Sequence, residues 1–311
     1  MYRTRDVEWV TLGVIVIFYA LWLGLSAVAG TSSSPLLWGL AVAALAVVTT
    51  FHASLSHEVL HGHPTRQSWI NEALVFASVG LFIPFRRFRS LHLCHHANER
   101  LTDPYDDPES FYLAWRDWQD LPRPVQLLLR FNNTLAGRMT IGPALSLAAF
   151  YASDFRLMRA GKRRIVSDWL YHAAGLVPVA LWLSAVGFPL WLYAVAVAYP
   201  AYSLLMLRTF AEHQADEDPK NQTAIIEASP FFALLFLNNN LHSVHHDNPR
   251  LPWYRLPAVC RQDYAGRTYR FGGYGEVVRR FAFRSKEPVP HPYLRRSELP
   301  TDHVQGGADR G

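Results

Sequence analysis

Two pairs of long apolar stretches, each pair split by a short break, lie within the first two thirds of the chain. Residues 10–30 carry no Asp, Glu, Lys or Arg, and neither do residues 30–56. Thr31, Ser32, Ser33, Ser34 and Pro35 cut this run into two pieces. Each piece is roughly 20 residues, the length a helix needs to cross ~30 Å of hydrocarbon. A second pair lies at residues 165–186 and 188–207, joined by Gly187, Phe188 and Pro189. Hydrocarbon offers no partner to free backbone N–H and C=O groups, so such stretches cross as helices. The pattern predicts four spans in two hairpins, at about 10–30, 35–55, 165–186 and 188–207. The first run is too long for a signal-peptide core and lacks a clear A-x-A site, so it is expected to remain in place.

Two weaker apolar stretches, 69–85 and 141–155, are short for spans, and the first contains Glu72. They are expected as interfacial or re-entrant helices. Lys and Arg set the orientation. The two turns between paired spans contain none. Arg3 and Arg5 precede span 1, Arg86, Arg87 and Arg89 follow span 2, and Lys162, Arg163 and Arg164 precede span 3. Arg208 follows span 4. Those ends and both termini are therefore expected on the cytoplasmic side. Residues 86–164 and 208–298 are expected to form a cytosolic helical cap, and 299–311 a loose tail.

Composition sharpens this picture. Half of the 311 residues are hydrophobic and only 18% are charged, against about 25% in an ordinary soluble domain. A mean hydropathy of +0.02 means that the spans are balanced by a large polar part. Two cysteines build no disulfide framework. The net charge of +5 sits where a membrane protein places it, so no nucleic-acid partner is expected.

The 14 histidines carry the chemistry. His57 and His61 form an HxxxH box at the end of span 2. His92, His95 and His96 form HxxHH, and His242, His245 and His246 form it again. His213 stands alone, five residues beyond Arg208. Helix positions i, i+3 and i+4 share a face, so each box can aim its imidazoles at one place. The orientation drawn from Lys and Arg puts all four elements on one membrane face. Nine imidazoles exceed the four ligands of a structural zinc site and suit two metal ions with positions left for oxygen or water. His57 and Glu58 also begin an HExxH match to a zinc protease, which leaves the two HxxHH boxes without a role. A metal transporter would need ionisable residues deep in the spans; spans 1 and 4 offer none of that kind, and Asp168 and His172 of span 3 lie near its cytoplasmic end.

At these residues the chain resembles the membrane fatty acid desaturase and hydroxylase superfamily. The stretches that carry the resemblance are HEVLHGHP, HLCHHANERLTDPYDDPES, RTFAEHQ and LFLNNNLHSVHHDNPRLPWYRLP, within about residues 51–257. The resemblance implies a single all-α integral membrane domain over 1–311. It also implies a non-haem di-iron centre that activates dioxygen, with the metal ligands His57, His61, His92, His95, His96, His213, His242, His245 and His246 and no catalytic residue beyond them. Animal-type acyl-CoA desaturases place an Asn four residues before the isolated histidine; here Thr209 stands there.

The expected activity is desaturation of a lipid acyl chain. The alternatives are hydroxylation or ketolation of an alkyl chain or carotenoid, and oxygenation of a small amine-bearing substrate. The chain has no glycine-rich nucleotide fingerprint, cysteine cluster or haem-attachment motif. Electrons are therefore expected from a separate ferredoxin-, rubredoxin- or cytochrome-type carrier.

Six polar residues are candidates to support the ligands by hydrogen bonding: Glu58, Glu212, Asp103, Asp107, Asn240 and Asp247. Asp103, Asp106, Asp107 and Glu109 form an acidic loop that either supports ligands, binds a cationic substrate or is a solvated turn. His52 and His63 flank the first box as metal ligands or as supporting groups. Trp253 and Tyr254 are expected to fold the cap back over the site. Arg279, Arg280, Arg284 and Lys286 form a basic patch, for lipid head groups or for an acidic electron carrier.

Overall fold

The computed structural model describes residues 7–294, apart from 99 and 267–268. The tail expected at 299–311 lies outside the described residues. Helix α1 (Trp9–Thr31) has 23 residues and α2 (Pro35–Leu60) has 26. The break falls where the sequence placed it. Ser34 caps α2 by accepting the Leu37 N–H at 3.4 Å, and Pro35 occupies the first turn, where its missing N–H is no loss. Helix α1 buries one stripe, Ile15, Phe18, Trp22, Ser26 and Ala29, yet Val16, Ile17 and Leu21 on its other faces are exposed. A helix apolar all round but covered on one side is built to face lipid.

Helix α3 (Ser68–Leu74) is short, and residues 75–84 are irregular before α4 (Phe85–His96). Short helices α5 (Trp115–Gln119), α6 (Arg123–Asn132) and α7 (Leu135–Thr140) lead to α8 (Gly142–Arg159) and α9 (Arg163–Ala185). Then α10 (Leu190–Tyr193), a π turn at Ala194–Ala198 and α11 (Tyr199–Glu212) form one continuous helical stretch. The remainder holds strand β1 (Ile225–Ile226), α12 (Pro230–Leu235), α13 (His242–Asp247), α14 (Leu256–Asp263), strand β2 (Arg270–Phe271) and α15 (Tyr274–Phe281). The two strands pair in parallel, Ile225 with Arg270.

Among the described residues, three helices are long and apolar enough to cross a membrane: α1, α2 and Leu190–Glu212. The sequence pattern predicted four. Helix α9 has the length, 23 residues, but its first half carries Arg163, Arg164, Asp168 and His172, which dilute the apolar run. The two expected turns nevertheless meet. A methyl group on Gly30 would stand 2.1 Å from the Val186 carbonyl oxygen, so the backbones approach as only glycine allows. Gly187 adopts φ +77° beside it.

Residues 75–84 thread between the long helices without regular structure. Carbonyls at the start of this segment and within it are held by side chains from four helices. Tyr19 of α1 donates to Leu74 O, Tyr151 of α8 to Phe82 O, His172 of α9 to Leu81 O and Tyr193 of α10 to Val79 O, each at 2.8 Å. The Ser78 N–H donates to Gly175 O at 3.1 Å. Irregular backbone packed among apolar side chains is stable only when protein groups replace the missing water.

Candidate metal centre

The three boxes and His213 converge where α2, α4, α11 and α13 end together. His57 lies in the last turn of α2 and His61 caps it. His92, His95 and His96 occupy the last two turns of α4. His213 is the C-cap of α11, in extended conformation with φ −122° and ψ 147°. His242, His245 and His246 lie on α13, after a turn in which Leu237 and Asn238 take positive φ.

The nine imidazoles fall into two groups. His57, His61, His92, His96 and His245 form one; His95, His213, His242 and His246 form the other. Within each, one nitrogen per ring lies within 4.8 Å of the rest. Nearest Nε2 pairs are closer: His213 to His242 at 2.9 Å, His242 to His246 at 3.0 Å, and His92 to His96 and His96 to His245 at 3.1 Å. Around an ion with metal–nitrogen bonds of about 2.1 Å, neighbouring donors stand about 3.0–3.4 Å apart.

The other ring nitrogens fix which tautomer is present. His92 Nδ1 lies 2.9 Å from Glu109, His95 Nδ1 2.8 Å from Asp107, His242 Nδ1 3.1 Å from the Asn239 side-chain oxygen and His213 Nδ1 3.3 Å from Gln222 O. Every partner is an acceptor, so these Nδ1 atoms carry the proton and each Nε2 carries a lone pair. The 2.9 Å contact of His213 with His242 therefore sets two lone pairs against each other. That arrangement is repulsive by itself and becomes attractive around a shared cation.

Electrostatics agrees. Burial, then the repulsion of neighbouring imidazoles, pushes His61, His213, His242, His245 and His246 well below the usual histidine range. The same causes push His96 down to about 3. These rings are neutral at physiological pH, the form that binds metal. His95 goes the other way: burial lowers it, but the hydrogen bond to Asp107 and the nearby carboxylates outweigh burial.

The model of the fatty acid desaturase family matches residues 33–272. The chain belongs to the fatty acid desaturase family. A search of curated proteins finds no match. As a desaturase-family member it is an oxidoreductase of the acyl-chain desaturase and hydroxylase type, and such enzymes act on lipid in membranes and are generally iron-dependent.

Of the six supporting candidates in this desaturase-family protein, two touch a histidine of the groups. Asp107 holds His95, and Glu212 lies 3.5 Å from His242 Nδ1 while paired with Arg208 at 2.8 Å. The other four bond elsewhere. Asp103 accepts the Tyr105 and Asp106 N–H groups, Asn240 donates to Ile226 O, Asp247 accepts the Tyr264 hydroxyl and Glu58 accepts the Trp253 N–H. Three direct contacts lay outside the candidate set: Glu109, Asn239 and the Gln222 carbonyl. Glu109 stood in the acidic loop that the sequence had marked, and Asn239 stands directly before the candidate Asn240. The Gln222 contact is made by a main-chain oxygen and left no signal at all.

His52 and His63 join neither group. His63 instead donates to Glu8 at 2.7 Å and lies 3.9 Å from Glu58. Trp253 folds back as expected: its N–H reaches Glu58 and its indole N–H reaches Thr11 at 3.3 Å.

Proposed function

We propose that the protein is a membrane-bound, dioxygen-dependent di-iron desaturase of a lipid acyl chain. In this reading His57, His61, His92, His96 and His245 hold one iron, and His95, His213, His242 and His246 hold the other. The observation that carries the reading is the pair of separate imidazole groups with lone pairs turned inward. A di-iron centre supplies the chemistry that reduces dioxygen and removes hydrogen from an unactivated C–H bond.

The chain's own residues do the rest. Asp107, Glu109, Asn239 and the Gln222 carbonyl orient the imidazoles and hold the neutral ring's proton on Nδ1, which leaves Nε2 for a metal. Trp253 ties the segment after the third box to Glu58 of the first box and to Thr11 of α1. Desaturation removes two hydrogens from adjacent carbons. With dioxygen, two electrons from a separate carrier and two protons, it yields a double bond and two waters.

The proposed topology has four crossings, with α9 as the fourth. The approach of Gly30 to Val186 and the bonded state of His172 support it. Both termini and the metal centre then face the cytoplasm.

The test is mass spectrometry of lipids from cells with and without the gene, joined to elemental analysis of the detergent-purified protein. The expected result is a lipid species lighter by two hydrogens and two irons per chain. A product that gains an oxygen assigns a hydroxylase instead, and one zinc with no iron ends the di-iron reading.

A further inference from the structure

The segment after α15 runs back across the scaffold of the metal centre. Ala136 N–H donates to Ala282 O at 2.9 Å and Lys286 N–H to Asn133 O at 3.2 Å. Farther along, Leu113 N–H donates to Val289 O at 3.1 Å and His291 N–H to Leu113 O at 2.8 Å. This strap thus laces the stretch after the acidic loop to the turn between α6 and α7.

Both ends of the strap lead to the second histidine group. At one end, Lys286 is turned inward, its side chain 3% exposed, between the rings of Phe111 and Phe210. It is not part of the surface patch of Arg279, Arg280 and Arg284. Its ammonium donates to Phe210 O at 2.8 Å and to His213 O. The last carbonyls of a helix have no intrahelical donor. Lysines near a helix end often satisfy them, but here the lysine comes from 73 residues beyond His213. Glu287 adds a second grip: it accepts the Tyr112 hydroxyl and, at 3.0 Å, the N–H of Ala215.

At the other end, His291 Nε2 lies 3.2 Å from the Thr102 hydroxyl. The Thr102 N–H donates at 2.9 Å to Asp107. Asp107 is the carboxylate that holds His95. The rings of His95 and His213 lie 4.8 Å apart, centroid to centroid. The strap therefore fixes from outside the two second-group histidines that α13 does not carry.

We propose that residues 282–291 clamp the second metal site, with Lys286 as the positioning residue for His213. The proposal rests on the reading that both histidine groups hold metal. It goes further in assigning the two sites different supports. The first site depends on α2, α4 and α13, and the second also depends on the far end of the chain.

The test is metal titration of the full-length protein in detergent, with cobalt(II) as the spectroscopic probe, on wild type, Lys286→Met and His291→Ala. Thermal unfolding of each metal-free protein is recorded alongside. The expected result is two tight equivalents in wild type. In both variants one equivalent stays tight and the other weakens about tenfold or more, as on loss of groups that orient a ligand. Two tight equivalents in both variants would overturn the clamp. Equal weakening of both equivalents, together with a lower metal-free unfolding temperature, would also overturn it and leave the strap a general structural element. If Lys286→Met does not fold, His291→Ala decides between these outcomes alone. A wild type that takes fewer than two equivalents removes the two-site reading itself, and the clamp with it.

Discussion

Asn239 accepts the Nδ1 proton of His242 at 3.1 Å and stands with its amide nitrogen 3.4 Å from His57 Nε2. One side chain thus touches a histidine from each group. Asn239→Ala should weaken the second site by roughly 10–100-fold, because His242 loses the acceptor that holds its proton on Nδ1. The amide N–H that faces His57 Nε2 points at the lone pair a metal would take, so the first site should stay near its wild-type affinity. Competition with a chelator at graded strength measures it, and equal weakening of both sites would show that Asn239 supports the scaffold rather than one ligand.

Asp107 makes a parallel case, since it serves His95 alone among the nine histidines. Asp107→Ala should lower metal affinity at the second site and leave the first near its wild-type value. It also loses the acceptor for the Thr102 and Glu109 N–H groups, so some loosening of the acidic loop is expected. The two variants side by side give a direct check on the division into groups.

Single ligand deletions follow the same division. His245→Ala should lose the metal of the first group, and His213→Ala that of the second. Each should retain one equivalent by elemental analysis and lose nearly all turnover. His213→Ala with full metal content and low activity would move His213 from the metal to the substrate.

Much of this centre was legible in the sequence, because a helix repeats its faces at three and four residues and the boxes obey that spacing. What spacing could not encode is the partition. His95 and His96 are adjacent, yet they serve different groups, since neighbouring helix positions diverge by about 100° and each meets a different partner helix. The acidic loop was visible as a cluster, but only its folded path selects Asp107 and Glu109 over Asp103, which closes its own turn. Lys286 read as one of four surface cations because nothing local marks burial. Its surroundings, Phe111 and Phe210, lie far away in sequence. The charges in the first half of α9 were visible throughout, but an uncharged run from Ala173 onward outweighed them in the reading of spans.

The proposed topology is tested by labelling. A cysteine introduced as Ser33→Cys lies in the turn between α1 and α2, with only Cys94 and Cys260 native to the chain. In a Cys94→Ser, Cys260→Ser background it should react with an impermeant maleimide added to intact cells. Reaction only after the inner face is opened would reverse the orientation and place the metal centre on the other side.

Gly175 is where α9 meets the irregular segment. A methyl group there would stand 2.3 Å from the Phe76 carbonyl oxygen and 2.7 Å from the Ser78 hydroxyl. Gly175→Ala should therefore destabilise by about 1–3 kcal/mol, the usual cost of forcing extra volume into a packed site. The unfolding temperature in detergent reads this directly, and an unchanged value would show that the segment yields without loss.

That segment also imposes an order on assembly. It is translated before the three side chains that hold its carbonyls, Tyr151, His172 and Tyr193. Until Tyr193 has been made, residues 75–84 have no full set of partners within the protein. In the four-span topology proposed above, they wait at the membrane surface, where water serves in their place. In that topology the first hairpin inserts as soon as it is translated, but the link to α4, and with it the second histidine box, reaches its final depth only when the last long helix arrives.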